Sequence, residues 1–215
     1  MSIDCKATVH IGECSRGGMS RGDHKAWDHD CGCREQYIPC GIVDEESGEL
    51  RLTFGSSYKT SDFIVDTLEA KWQAMDAQAQ GAVELLQIKM ANGPDRSGVR
   101  TQFLHRLVQF ADHIGQPIQL LYYPPYHSKY NPIERCWGIV EVHWNGTKLV
   151  DVETRLEWAK SMTWKRLHPV GVLSRKIYQK GIALSKKAMQ EVESRLERHP
   201  DFPQWDRLIR PVVAL

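Results

Sequence analysis

Two short apolar runs, Val83 to Met90 and Ile118 to Tyr123, stand on either side of a stretch in which Leu104, Leu107, Val108, Ala111 and Ile114 recur at three-to-four spacing. That spacing predicts an amphipathic helix closed by Gly115, and the two runs predict strands, the first ended by the turn residues Asn92-Gly93-Pro94. Strands joined through a helix belong to a sheet with parallel neighbours covered by helices. This unit commits the chain to a mixed α/β class.

The residues before it add antiparallel strands. Ser2 to Ile11 mixes β-branched and polar positions and predicts a strand starting almost at Met1, so the chain looks truncated. Tyr37 to Val43 and Leu50 to Phe54 predict a hairpin around Asp44-Glu45-Glu46-Ser47-Gly48-Glu49. Ser61 is expected to cap a helix with Ile64, Leu68, Trp72 and Met75 on its apolar face. The expected order is three strands, helix, strand, helix, strand, helix, with a loop insertion over 12–36. Beyond it, Val152 to Met162 and a stretch capped by Ser185 predict an all-helical extension, ending irregularly where Pro200 and Pro203 forbid helix. The domains expected are 1–150 for the sheet and 151–215 for the helical extension.

A chain of 215 residues with 41% hydrophobic and 26% charged residues suits one soluble globular domain with a small appendage. Lys and Arg number 28 against 27 Asp and Glu, a net charge of +1. Nucleic-acid binding therefore has no global electrostatic support and must rest on local patches. Lys160, Lys165, Arg166, Arg175, Lys176, Lys180, Lys186 and Lys187 make the last third lean basic, but Glu191, Glu193 and Glu197 follow closely, and a solvated helix surface is the simpler reading. No long apolar run or secretory leader occurs, so a cytoplasmic location is expected and the six cysteines are expected as thiols. His24, His29, Cys31 and Cys33 lie close together, but their spacing is not that of a standard zinc finger or ribbon. A loop near the active site or the DNA is the simpler reading.

The segment richest in chemical information is Tyr122-Tyr123-Pro124-Pro125-Tyr126-His127-Ser128-Lys129-Tyr130-Asn131-Pro132-Ile133-Glu134-Arg135-Cys136-Trp137-Gly138. It joins a strand to a helix through a proline loop. Asn131 suits the N-cap, Pro132 the first helical position, and Glu134 the third residue after the cap, the spacing of a capping box. From spacing alone Glu134 either satisfies the helix end or points over the strand ends as a metal ligand. Trp137, Val140 and Trp144 follow Ile133 at helical spacing and read as core.

This segment resembles the third-carboxylate motif of insertion-sequence transposases of the ISAzo type, related to Tc/mariner-like DDE transposases. Ser2 to Gly12, Ser15 to Gly18, Asp28 to Gly32, Gly41 to Gly55, Ser57 to Leu68, Asn92 to Pro94 and Met162 to Val170 resemble stretches of such proteins in the same order. The resemblance implies an RNase H-like fold, similar to retroviral integrase: a mixed five-stranded sheet with flanking helices, here with a helical C-terminal extension. It implies DNA cleavage and strand transfer at the ends of an insertion sequence, with Asp, Asp and Glu holding two Mg²⁺ or Mn²⁺ ions.

By the same resemblance, Asp4 matches the first carboxylate and Glu134 the third, both as metal ligands. The second should directly precede Asn92-Gly93-Pro94, and Ala91 stands there. Alanine supplies no ligand, so cleavage and strand transfer are expected to be impaired; a non-catalytic remnant that binds DNA or oligomerises is the alternative. Asp95 and Asn92 do not inherit the strand-end position by simple geometry. His127, Lys129, Tyr130 and Arg135 are expected to contact DNA phosphates and position the scissile strand or, equally, to serve in ordinary loop packing. DNA at transposon ends and target is the expected partner, with a homo-oligomer possible, no membrane, and nucleoid association when bound. The helix-turn-helix region that such proteins place ahead of the catalytic domain is not expected in this chain.

Overall fold

A computed structural model describes residues 1–12, 35–91, 101–124, 126–147 and 150–212. His24, His29, Cys31 and Cys33, the Asn92-Gly93-Pro94 turn and Asp95 lie outside the described residues. In chain order the elements are β1 Ser2–Cys5, β2 Val9–Ile11, β3 Glu35–Val43, β4 Leu50–Gly55, α1 Ser61–Gln73, α2 Ala77–Gly81, β5 Leu86–Ala91, α3 Thr101–Ile114, β6 Ile118–Tyr123, α4 Pro132–Trp144, α5 Val152–Ser161, β7 Val170–Ser174, α6 Lys186–Ser194, β8 Leu196–Arg198 and β9 Asp206–Ile209. The class is mixed α/β, as expected. Two compact units divide it: Met1–Ile3, Lys59–Asn131 and Tyr178–Leu215 form the first, and Asp4–Tyr58 with Pro132–Ile177 the second.

In the first unit β1 and β6 flank β5 in parallel, with Ser2 opposite Lys89, Ile3 opposite Met90, Leu86 opposite Ile118 and Ala91 opposite Tyr123. Leu86, Ile88 and Met90 alternate inward, as do Ile118, Leu120 and Tyr122. Helix α3 buries Phe103, Leu104, Leu107, Val108, Phe110 and Ala111. Gly115 ends it at φ +66, its N–H bonded to the Ala111 carbonyl at 3.0 Å, the left-handed stop that glycine permits. Helix α1 packs against α3, where Arg106 of α3 meets Asp62 at 3.3 Å, Asp66 at 2.6 Å and Glu69 at 3.5 Å. The cap of α1 is Thr60 rather than Ser61: its hydroxyl accepts from Phe63 N–H at 3.2 Å, and Ser61 is the first helical residue.

The second unit is built on the β3–β4 hairpin, paired from Ile38–Gly55 to Val43–Leu50. Asp44 Oδ1 accepts from the N–H groups of Glu46 at 3.0 Å and Ser47 at 3.3 Å, and this Asx turn fixes the register. Strand β2 pairs antiparallel with β3, and β7 parallel with β4. Over these strands lie α4 and α5, whose Ile133, Cys136, Trp137, Val140, Trp144, Val152, Ala159 and Met162 join Val9, Ile11, Tyr37, Leu50, Leu52 and Phe54 in one core. Arg155 of α5 is fully buried. Its guanidinium donates to the carbonyls of Val9 at 3.2 Å and His10 at 2.9 Å and lies 5.6 Å from the Trp144 ring centroid, contacts that offset the cost of burying the charge.

Three further expectations need correction. The run Ser2 to Ile11 is two strands, because Lys6 N–H bonds the Pro39 carbonyl at 2.9 Å and proline has no N–H to return. The short α2, capped by Asp76, precedes β5, which starts at Leu86 rather than Val83. The residues after 151 are not all helical: besides α5 and α6 they supply β7 to the second unit and β8 and β9 to the first, so strands exceed the expected five. Their short lengths and partly exposed side chains leave no alternation to read.

Candidate active site

Asp4 sits in the middle of β1 with 7% of its surface exposed, between the fully buried Ile3 and the buried Cys5. A carboxylate so placed must be stabilised by donors, cations or a metal ion. Ile3, the residue before it, pairs with Met90. Ala91 follows Met90 as the last residue of β5, partly exposed and opposite Tyr123. Ala91 thus ends the strand, and a methyl group is all that its side chain offers there.

Glu134 lies in the first turn of α4 and is partly exposed. The helix reaches it by laying Ile133, Cys136, Trp137 and Val140 into the core, which turns Glu134 and Arg135 away from that seam. Close approach of α4 to β3 depends on Gly41, where an added Cβ would stand 2.6 Å from Ile133 Cδ1 and 2.8 Å from Trp137 Cζ2. Burial pushes the Cys136 thiol up to about 12, and its Sγ donates to the Pro132 carbonyl at 3.6 Å. Held protonated in this way, that thiol is no nucleophile near neutrality.

The loop ahead of α4 is fastened to β1. Asn131 is fully buried. Its side-chain oxygen accepts from Ser2 Oγ, and its amide nitrogen donates to the Ile3 carbonyl at 3.4 Å. Its backbone, at φ −69 and ψ 118, is extended as a residue before a helix must be. The asparagine expected only as a cap thus ties the residue before Asp4 to the residue before α4. Nothing in the local sequence marks Ser2 as its partner.

His127 and Lys129 are exposed in this loop and gather at Tyr130. The His127 and Tyr130 rings stack with centroids 5.9 Å apart, and Lys129 Nζ lies 5.2 Å from the Tyr130 centroid. Arg135 is exposed on α4. Among the described residues, no three His, Cys, Asp or Glu side chains gather where a metal ion could sit. None of the described helices is long and apolar enough to cross a membrane.

Residues 1–211 match the model of a family described as the Rhodopirellula transposase DDE domain. The chain belongs to this DDE transposase family. The match spans both units and every element described, so the transposase domain, mixed α/β in architecture, is a member of a family of nucleic-acid phosphoryl-transfer enzymes. No curated protein is significantly similar to it. Among solved structures, a chain of the simian T-cell lymphotropic virus intasome, in complex with the PP2A regulatory subunit B56 gamma, is 21% identical with a TM-score of 0.38. That similarity covers 63% of the transposase domain and 45% of the intasome chain, so the domain spans less than half of that chain's length.

Proposed function

We propose that this domain cleaves and joins DNA at the ends of an insertion sequence, that Asp4 and Glu134 are its metal-binding carboxylates, and that Ala91 leaves the copy impaired. Ala91 carries this reading: it is the last residue of β5, directly after the residue that pairs with Ile3, and it has no oxygen to offer. Asp4 and Glu134 are hard oxygen donors suited to Mg²⁺ or Mn²⁺, while the buried Cys136 thiol is not. Such ions, when bound, supply Lewis acidity for in-line displacement at phosphorus. The protein's part is to hold Asp4 rigidly in a buried strand and Glu134 on a helix anchored at Gly41, with His127, Lys129 and Arg135 toward DNA phosphates. Transposon-end and target DNA are the proposed partners, a homo-oligomer the proposed assembly, and the cytoplasm the proposed location.

The test is nicking of plasmid DNA in Mg²⁺ or Mn²⁺ by the unaltered chain and by Ala91→Asp. Groups that merely support metal ligands are worth about 10–100-fold in affinity or activity, so restoring a ligand should raise nicking by at least about 100-fold. Equal rates in the two proteins refute the role given to position 91. The second reading, a domain that binds DNA or oligomerises without chemistry, is favoured by the same alanine; it requires that Ala91→Asp stay inactive while DNA binding persists.

A further inference from the structure

The loop that precedes α4 carries a tyrosine for which folding gives no reason. Tyr126 has φ +65 and is 97% exposed. It is the third residue of a four-residue turn closed by His127 N–H to the Pro124 carbonyl at 3.1 Å. A positive φ there ordinarily selects glycine or asparagine, because a Cβ crowds the backbone. A tyrosine accepts that strain while its ring contributes no packing.

The neighbouring residues show what such a ring can serve. Tyr130 is 56% exposed, stacked with His127 at an interplanar angle of 25°, with the Lys129 ammonium over its ring at 5.2 Å from the centroid. The platform is held firmly: Tyr130 N–H bonds the His127 carbonyl at 3.0 Å, Asn131 N–H bonds the Ser128 carbonyl at 2.8 Å, and the Asn131 side chain is fastened to β1. Exposed aromatic faces on a fixed backbone, interleaved with a cation, match a ligand with flat π faces strung on an anionic chain. A duplex hides those faces in its stack; a single strand presents them.

We propose that Tyr126 and the Tyr130–His127 pair form a stacking platform for unpaired bases of single-stranded DNA, with Lys129 placed for the adjoining phosphate. The choice of DNA rests on the function proposed above, and the platform stands in the chain directly ahead of the helix that carries Glu134. It would hold the frayed end of the strand on which the enzyme acts.

The test needs neither metal nor cleavage. Fluorescence anisotropy in EDTA compares a labelled single strand of about 12 nucleotides, within the range one such platform engages, with an abasic strand of equal length and a duplex. The unaltered chain should bind the base-bearing strand at least about tenfold more tightly than the abasic one, the contribution of a stacked base. Tyr126→Ala and Tyr130→Ala should each lose about tenfold on the base-bearing strand and nothing on the abasic one. Tyr126→Gly, which relieves the backbone and so keeps the fold, should show the same loss, and Tyr126→Phe should not. Equal affinity for base-bearing and abasic strands, no effect of Tyr126→Gly, no DNA binding at all, or tighter binding of an RNA strand of the same sequence overturns the proposal. Failure of Ala91→Asp to nick with base discrimination intact strikes the catalytic reading alone; restored nicking without base discrimination strikes this one alone.

Discussion

Asn131 is fully buried, and both ends of its amide are engaged by β1. Replacing it by alanine removes those bonds from a place water cannot reach, a cost of about 1–3 kcal/mol where a single exposed bond would cost less. Urea unfolding of Asn131→Ala should show that loss. Ser2→Ala should lose less, because the bond to the Ile3 carbonyl survives it. The pair should couple by at least about 0.5 kcal/mol in a double-mutant cycle, and strictly additive effects would argue that the two side chains do not depend on one another. How far these residues were legible differs by position. The place of Ala91 at a strand end could be read from the Asn-Gly-Pro that follows it, and that of Glu134 at a helix start from Asn131 and Pro132. The link from Ser2 to Asn131 could not, since it joins residues 129 apart and leaves no periodic trace.

Helix α4 shows how an element positions Glu134, the residue proposed as a metal ligand. Its amphipathic spacing, with Ile133, Trp137, Val140 and Trp144 on one face, was readable as core and is core. What spacing could not reveal is how closely that face descends, which depends on Gly41 in the middle of β3. With a methyl group at 41 only 2.6 Å from Ile133 Cδ1, either that side chain leaves its rotamer or the first turn of α4 lifts. Gly41→Ala should therefore destabilise the fold by about 1–3 kcal/mol, the usual cost of overpacking. In an Ala91→Asp background it should also reduce nicking by more than the loss of folded protein accounts for, since Glu134 rides on that turn. Unchanged specific activity of the folded fraction would show that the position of α4 is not set at Gly41. Helix α3 is the contrasting case: its apolar face and its glycine stop are both local, so the sequence suffices.

At the scale of the whole molecule, residues beyond 151 complete what the earlier residues begin. The hairpin strand β4 would be an open edge without β7, which pairs with it from Arg51–Val170 to Gly55–Ser174. Strand β6 would be another without β9, paired from Ile118–Ile209 to Leu121–Asp206, with β8 outside β9. Gln119 reaches both oxygens of Asp206, at 2.9 and 3.1 Å, and Trp205 accepts from Tyr122 N–H at 2.8 Å, so these late strands are bonded through side chain and backbone alike. An unpaired apolar edge invites pairing with another chain. The sequence did not disclose this because β8 holds three residues and β9 four, too few for alternation to show. A chain ended at residue 150 should consequently be aggregation-prone, eluting from size exclusion in the void volume or remaining insoluble. A chain ended at 177, which keeps β7 but loses β8 and β9, should remain defective through β6. Adding the 178–215 peptide in trans to the latter should recover soluble protein if edge exposure is the cause; a monodisperse, cooperatively unfolding chain ended at 150 would show that the late strands decorate the fold rather than close it.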